Sequence, residues 1–177
     1  MEKLFYISKK SHIGLYKLIL GLSIVMLING CYSFKAGQIP KEVKTYSVQF
    51  FPNRASIVNP VLSQTFTEKL KLKWNNESSL SLKSAEGDYA FEGYISNYAN
   101  GPVAIQSNQT AAQNRLTITV NVKFINSKDE KANFETSFSR FADYSSSLNF
   151  ATQEQKLVDN IVGQLVDDIF NKCTSNW

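Results

Sequence analysis

Asp88 and Glu92 are the side chains whose type and spacing come nearest to supporting catalysis in this 177-residue chain. Two carboxylates can share acid–base work without a histidine, one acting as acid and the other as base or nucleophile. Four residues apart on a strand, they share a face at a separation of about 13 Å. That exceeds either geometry such pairs use, so only a cross-strand partner would complete one. The single histidine is His12, and the only cysteines are Cys31 and Cys173. Two thiols do not make a Cys₄ or Cys₂His₂ zinc site. No GxxxxGKS/T, GxGxxG or GxSxG motif occurs. The inventory points to binding, not chemistry.

Cys31 carries the one covalent expectation. Lys9, Lys10 and Lys17 precede an apolar run from Leu18 to Ile28. As a helix that run spans about 16 Å, well short of a bilayer core of about 30 Å. A basic segment followed by a short apolar one reads as a secretory signal over residues 1–30. The next residues, Leu27-Ile-Asn-Gly-Cys31, resemble a bacterial lipobox, although Asn29 departs from the usual small or apolar residue. The resemblance implies cleavage before Cys31 and lipidation there, with a diacylglycerol and an amide-linked acyl chain such as palmitate. Two or more chains make anchoring effectively permanent. Tyr32 follows the cysteine where a retention signal would place Asp, which implies the outer membrane. With Cys31 lipidated, Cys173 has no intramolecular partner and reads as a small buried helix residue.

Removing residues 1–30 also removes His12, and with it any Ser-His or Cys-His nucleophile. The whole chain carries 19 basic and 15 acidic side chains; four Lys and one Glu lie in the signal. Residues 31–177 are left with 15 and 14, so the basicity belongs to targeting and gives no argument for nucleic acid. Residues 31–42 read as a short tether, at most about 40 Å when extended. Residues 43–177 read as a single domain held near the membrane.

The elements of that domain follow from periodicity. Tyr46, Val48 and Phe50 alternate with Thr45, Ser47 and Gln49 in a strand within Val43–Phe51. Asn59 and Pro60 open a helix as N-cap and first helical residue, with Leu62, Phe66, Leu70 and Trp74 as its buried stripe. Weaker strand signals lie around Leu80–Lys83 and Tyr89–Tyr98, and a turn-rich stretch runs from Asn100 to Asn114. Arg115 to Ile125 is the clearest strand, with Leu116, Ile118, Val120, Val122 and Phe124 on one face. Phe134–Phe141 is another. A last helix spans about Gln153 to Lys172, with a capping-box spacing at Thr152 and Gln155. One-faced helices and one-faced strands in this order fit an α+β two-layer sandwich. The polar strand face, comprising Thr45, Ser47, Gln49, Thr117, Thr119, Asn121, Ser137 and Ser139 with Lys123 and Glu135 as exceptions, is nearly uncharged. Such a face can dock on a polar surface at little desolvation cost, though Thr and Ser are also ordinary strand residues.

Five segments carry a family likeness: Cys31-Tyr-Ser-Phe34, Thr45-Tyr-Ser-Val-Gln-Phe-Phe-Pro-Asn-Arg-Ala55, Asn59-Pro-Val-Leu-Ser-Gln-Thr-Phe-Thr-Glu68, Asn114-Arg-Leu-Thr-Ile-Thr-Val120 and Phe138-Ser-Arg-Phe-Ala-Asp-Tyr144. With them the chain resembles the LptE family, the lipoprotein subunit of the outer-membrane lipopolysaccharide translocon. The resemblance implies two helices on one face of a mixed four-stranded sheet, in the order β-α-β-β-β-α. It also implies a plug inside a large LptD-like β-barrel, lipopolysaccharide binding, and no cofactor. Because lipopolysaccharide is anionic, exposed cations near loops are the candidate contacts: Arg54, Arg115, Lys123 and Arg140. The bland reading of each is a surface ion pair. The competing function is another envelope-assembly lipoprotein, a secretin pilot or a barrel-assembly accessory, with no lipopolysaccharide role.

Overall fold

The computed structural model describes residues 39–103 and 112–175. Cys31 and the lipobox lie outside them, as do residues 104–111 of the turn-rich stretch. Five strands form one mixed sheet in the order β2-β1-β3-β4-β5. The strands are β1 (Thr45–Val48), β2 (Ser81–Leu82), β3 (Tyr89–Pro102), β4 (Gln113–Asn126) and β5 (Phe134–Ser145). Helix α1 (Leu62–Glu77) follows β1, and α2 (Phe150–Thr174) follows β5. β1 runs parallel to both β2 and β3, and the remaining pairs are antiparallel. The fold class is the expected α+β sandwich. The sheet has five strands where four were expected: the weak signal at Leu80–Lys83 is a strand of two residues, β2, in which Ser81 and Leu82 pair with Thr45 and Tyr46 at the edge of β1.

The core lies between helices and sheet. Leu62, Phe66, Leu70 and Trp74 of α1 are fully buried, as are Leu116, Ile118, Val120 and Val122 of β4. Each such side chain contributes roughly 1.5–3 kcal/mol by leaving water. Trp74 is the hub: the rings of Tyr46, Tyr89, Phe91 and Phe170 surround it at 4.8–6.3 Å. α2 adds Val158, Ile161, Val162, Leu165, Val166, Ile169 and Phe170. Salt bridges Lys69–Asp159 at 2.9 Å and Lys73–Asp167 at 2.6 Å cross between the helices over this core.

α1 begins at Leu62, two residues later than expected, with Val61 as its N-cap, so Pro60 lies in the preceding turn. Asn59 still feeds the helix start, its Oδ1 accepting from the backbone N–H of Val61 and of Leu62. Its amide also donates to Glu154, which accepts from the Tyr98 hydroxyl as well, tying the first turns of both helices to β3. α2 starts three residues earlier than its periodicity suggested. The cap is Asn149, whose side chain accepts from Ala151, whereas Thr152 donates its hydroxyl to the Asn149 carbonyl.

β3 and β4 also extend into the stretch expected to be turn, pairing as far as Pro102 with Asn114. Val103 donates to Gln113 at 2.9 Å, which fixes the phase of the ladder. Hydrogen-bonded pairs alternate, so the nitrogen of Pro102 faces away from β4. β1 ends its pairing at Phe91, so on that side Pro102 withholds no donor from a neighbour.

Candidate functional site

The helices cover one face of the sheet, and among the described residues no element covers the other. On it β4 presents Arg115, Thr117, Thr119, Asn121 and Lys123, because the even-numbered residues of that strand are committed to the core. Register places Glu135, Ser137, Ser139, Phe141 and Asp143 of β5 beside them, and Glu92, Tyr94, Asn97 and Ala99 of β3 on the other flank. The hydroxyls of Thr119 and Ser139 bond each other at 2.9 Å. Its centre is a hydroxyl and amide surface, as expected, but its ends carry Arg115, Asp143, Glu92, Lys123 and Glu135. Ser47 is buried beneath Gly87, from whose N–H it accepts.

Two of the face's cations, Arg115 and Lys123, are paired in place, whereas Glu135 makes no ion pair among the described residues. Arg115 lies opposite Asp143 and forks onto it, Nε at 2.6 Å and Nη2 at 2.8 Å, while its guanidinium stacks 3.6 Å from the Phe141 ring centroid. This fork holds the Asp143 carboxyl below the usual carboxylate range. Lys123 reaches Glu92 at 3.6 Å, and Glu92 also accepts from the Gln49 amide.

Arg54 differs from these. Among the described residues it makes no ion pair, and its guanidinium sits 4.6 Å over the ring of Tyr94. The segment after β1 explains its position. Phe51 donates its N–H to the Thr67 hydroxyl on α1, Ile95 donates to Pro52, and Arg54 donates to Ile95. Asn53 closes a local turn by accepting from Ala55. Below that segment Gly93 adopts φ +153°, and a Cβ there would meet the Asn121 carbonyl at 2.1 Å, so only glycine allows the approach.

Of the four candidate cations, the structure gathers Arg54, Arg115 and Lys123 on the bare face and separates Arg140 from them. Arg140 is paired in register with Ile118, on the helix-bearing side, and forks onto Asp168 of α2 at 2.5 and 2.6 Å. It braces helix to edge strand. The sequence reading missed Tyr94 and Phe141, the aromatic platforms under two of these cations. The polar-phase alternation of their strands was the signal that carried them.

The two carboxylates considered for catalysis do not form a pair. Asp88 accepts from the backbone N–H of Lys44 and Thr45 and from the Thr45 hydroxyl, and Lys128 lies at 2.9 Å. These bonds, the Lys44 N–H foremost, hold its carboxyl far below the ordinary range. A carboxyl so stabilised as an anion makes a poor general acid. Among the described residues no cluster of His, Cys, Asp or Glu could hold a metal, and no helix is long and apolar enough to cross a membrane.

The fold and this face define a small two-layer α+β domain, of a kind shared by several proteins of known structure. A minor lipoprotein from Acinetobacter baumannii aligns over 75% of this chain and 94% of its own, at 14% identity and TM-score 0.52. A protein from Xanthomonas campestris aligns over 80% and 88%, at 9% identity and TM-score 0.53. At such identities the likeness shows the fold alone. Comparison with curated protein sequences gives no match. The family model for LptE, described as lipopolysaccharide-assembly, matches residues 43–173, and the chain belongs to that family. It is an outer-membrane-associated, non-enzymatic family.

Proposed function

We propose that the domain works as a lipid-anchored plug in a large outer-membrane β-barrel, with its bare sheet face against the inner wall, and assists lipopolysaccharide into the outer leaflet. The observation that carries this reading is the bare face itself. It is a long antiparallel surface of hydroxyls and amides whose Arg115 and Lys123 charges are already neutralised by neighbours. Barrel interiors are polar, so such a face loses little solvation on entering one. Membership of a lipopolysaccharide-assembly family supports the same reading.

Lipopolysaccharide would meet Arg54 first. Its guanidinium has no competing carboxylate among the described residues and is held flat on Tyr94, leaving donors free for a phosphate. Cys31 would carry the lipid anchor, with residues 32–42 as the leash. Depleting the chain tests the class: surface lipopolysaccharide and the folded barrel should fall together. Normal surface lipopolysaccharide with loss of a secretin or of general barrel assembly would overturn the reading in favour of a pilot or assembly accessory.

A further inference from the structure

The sheet has two free borders. At one, β2 is only two residues long, and the part of β3 that runs beyond β1 is interrupted by a register shift between Ile95 and Asn97 and ends in Pro102. At the other, β5 runs twelve residues, in unbroken register with β4 from Phe134 to Ser145. A row of free N–H and C=O groups templates another strand unless Pro, a bulge or charge prevents it. β5 has no Pro and carries three charges, Glu135, Arg140 and Asp143. Two are satisfied within the chain, Arg140 by Asp168 and Asp143 by Arg115. Glu135 is left over: Lys123 stands opposite it in register but turns to Glu92.

These charges choose a register. Ser146 donates to Ala112 at 3.2 Å, one step beyond the Gln113–Ser145 pair. By alternation, the even-numbered residues from Phe134 to Tyr144 bond to β4, and the odd-numbered ones aim their backbone groups outward. An antiparallel second copy must therefore pair odd with odd, so the dyad passes through a residue. A dyad at Ser139 sets Glu135 opposite Asp143 twice, and one at Arg140 sets that residue opposite itself. Like charges directly opposite are destabilising. Dyads at Phe138 and Phe141 oppose no like charges, and dyads nearer either end of β5 shorten the overlap.

The dyad at Phe138 also meets two needs of the free chain. Phe134 and Phe138 are only partly buried on the helix-bearing side; there they fall opposite the partner's Ala142 and the partner's Phe138. Glu135 falls opposite the partner's Phe141, on whose ring the partner's Arg115 is stacked at 3.6 Å. A dyad at Phe141 leaves Phe134 and Glu135 past the end of the paired strands. We infer that β5 pairs antiparallel with β5 of a second copy of this chain on a dyad at Phe138, joining two sheets edge to edge. Each Glu135 then lies beside the partner's Arg115, and the half-covered phenylalanines cover one another. The inference concerns the chain free of any barrel and does not depend on that reading.

Two tagged copies of the full chain, one with Ser137→Cys and the other with Ser139→Cys, test it in native outer membrane under mild oxidation. On a Phe138 dyad these positions form a hydrogen-bonded pair with Cα atoms about 5.5 Å apart, inside the range a disulfide spans. Co-expressed, the two should give a disulfide-linked dimer; each variant alone, and the parent with its free Cys173, should not. Sedimentation of the detergent-purified parent should show a monomer–dimer equilibrium. Glu135→Lys should weaken that dimer about tenfold at near-parental Tm, because it removes two exposed charge pairs at once. A monomer at every concentration, a disulfide dimer from either variant alone, crosslinks to another protein with none between copies, or a dimer that Glu135→Lys leaves unchanged overturns the inference. The barrel reading stands or falls separately, on depletion.

Discussion

Thr119→Glu separates folding from docking. Thr119 lies at the middle of β4 on the bare face, half-buried, with its hydroxyl 2.9 Å from that of Ser139. Opposite it stand Ser139 and Asn97, so a carboxylate introduced there faces no like charge across either strand pair. The isolated domain should lose no more than one neutral hydrogen bond. That is about 1 kcal/mol at most, or roughly 3–5 °C in Tm for a domain of this size. In the complex the same carboxylate would be shut into an interface without a partner. Such a charge costs about 2–5 kcal/mol, a loss of roughly thirtyfold to a few thousandfold in affinity. Two measurements on one variant decide the matter: thermal melting of the lipid-free protein, and barrel retained on the tagged lipoprotein after solubilisation. A near-parental Tm with barrel lost is the expected result. A near-parental Tm with barrel fully retained would refute the assignment of this face to docking.

Other outcomes follow from the same geometry. Cys31→Ala should abolish membrane attachment and leave far-UV circular dichroism and Tm unchanged; an anchored, functional Ala variant would remove the lipobox reading. Arg54→Glu should weaken binding of purified lipopolysaccharide at nearly constant Tm. Arg115→Glu should lower Tm measurably, because it breaks the fork and sets two carboxylates opposite each other. Acid should destabilise the domain through Asp88 and Asp143. Both carboxyls are depressed in the folded state, Asp88 chiefly by the Lys44 N–H and Asp143 chiefly by Arg115. Their stabilisation is therefore complete above the unfolded value of about 4 and is lost as pH falls toward their folded values. Asp88→Asn and Asp143→Asn should each flatten the dependence of Tm on pH below about 4; an unchanged slope would contradict the hydrogen-bonding pattern.

Both helices and β4 were legible in the sequence because each has one apolar face with a clean period. β3, broken by a register shift between Ile95 and Asn97, gave only a weaker signal, and β5 runs four residues beyond the strand read to Phe141. The α1 stripe from Leu62 to Trp74 and the β4 row from Leu116 to Phe124 are fully or almost fully buried as read. What periodicity could not reach was decided by partners distant in sequence. The hairpin arms run past Gly101 and Pro102 because the paired backbone of β4 outweighs two poor strand residues. Arg140 is exposed as expected, but register sets it on the helix-bearing side, where it pairs with Asp168 of α2. Charge alone could not rank the four candidates. Arg115, Lys123 and Arg140 each found a carboxylate across a strand or on a helix, and sequence spacing does not reveal such pairs.

The central claim is that the bare sheet face meets the inside of a lipopolysaccharide-translocating barrel. Its most direct test is a photo-crosslinking amino acid at Thr119 of the full-length protein in native outer membrane, with the crosslinked residues mapped by mass spectrometry. The expected result is a stoichiometric adduct with one large β-barrel, at residues whose side chains point into its lumen. Adducts confined to the barrel's periplasmic rim, adducts with a secretin, or lipid adducts alone would contradict it.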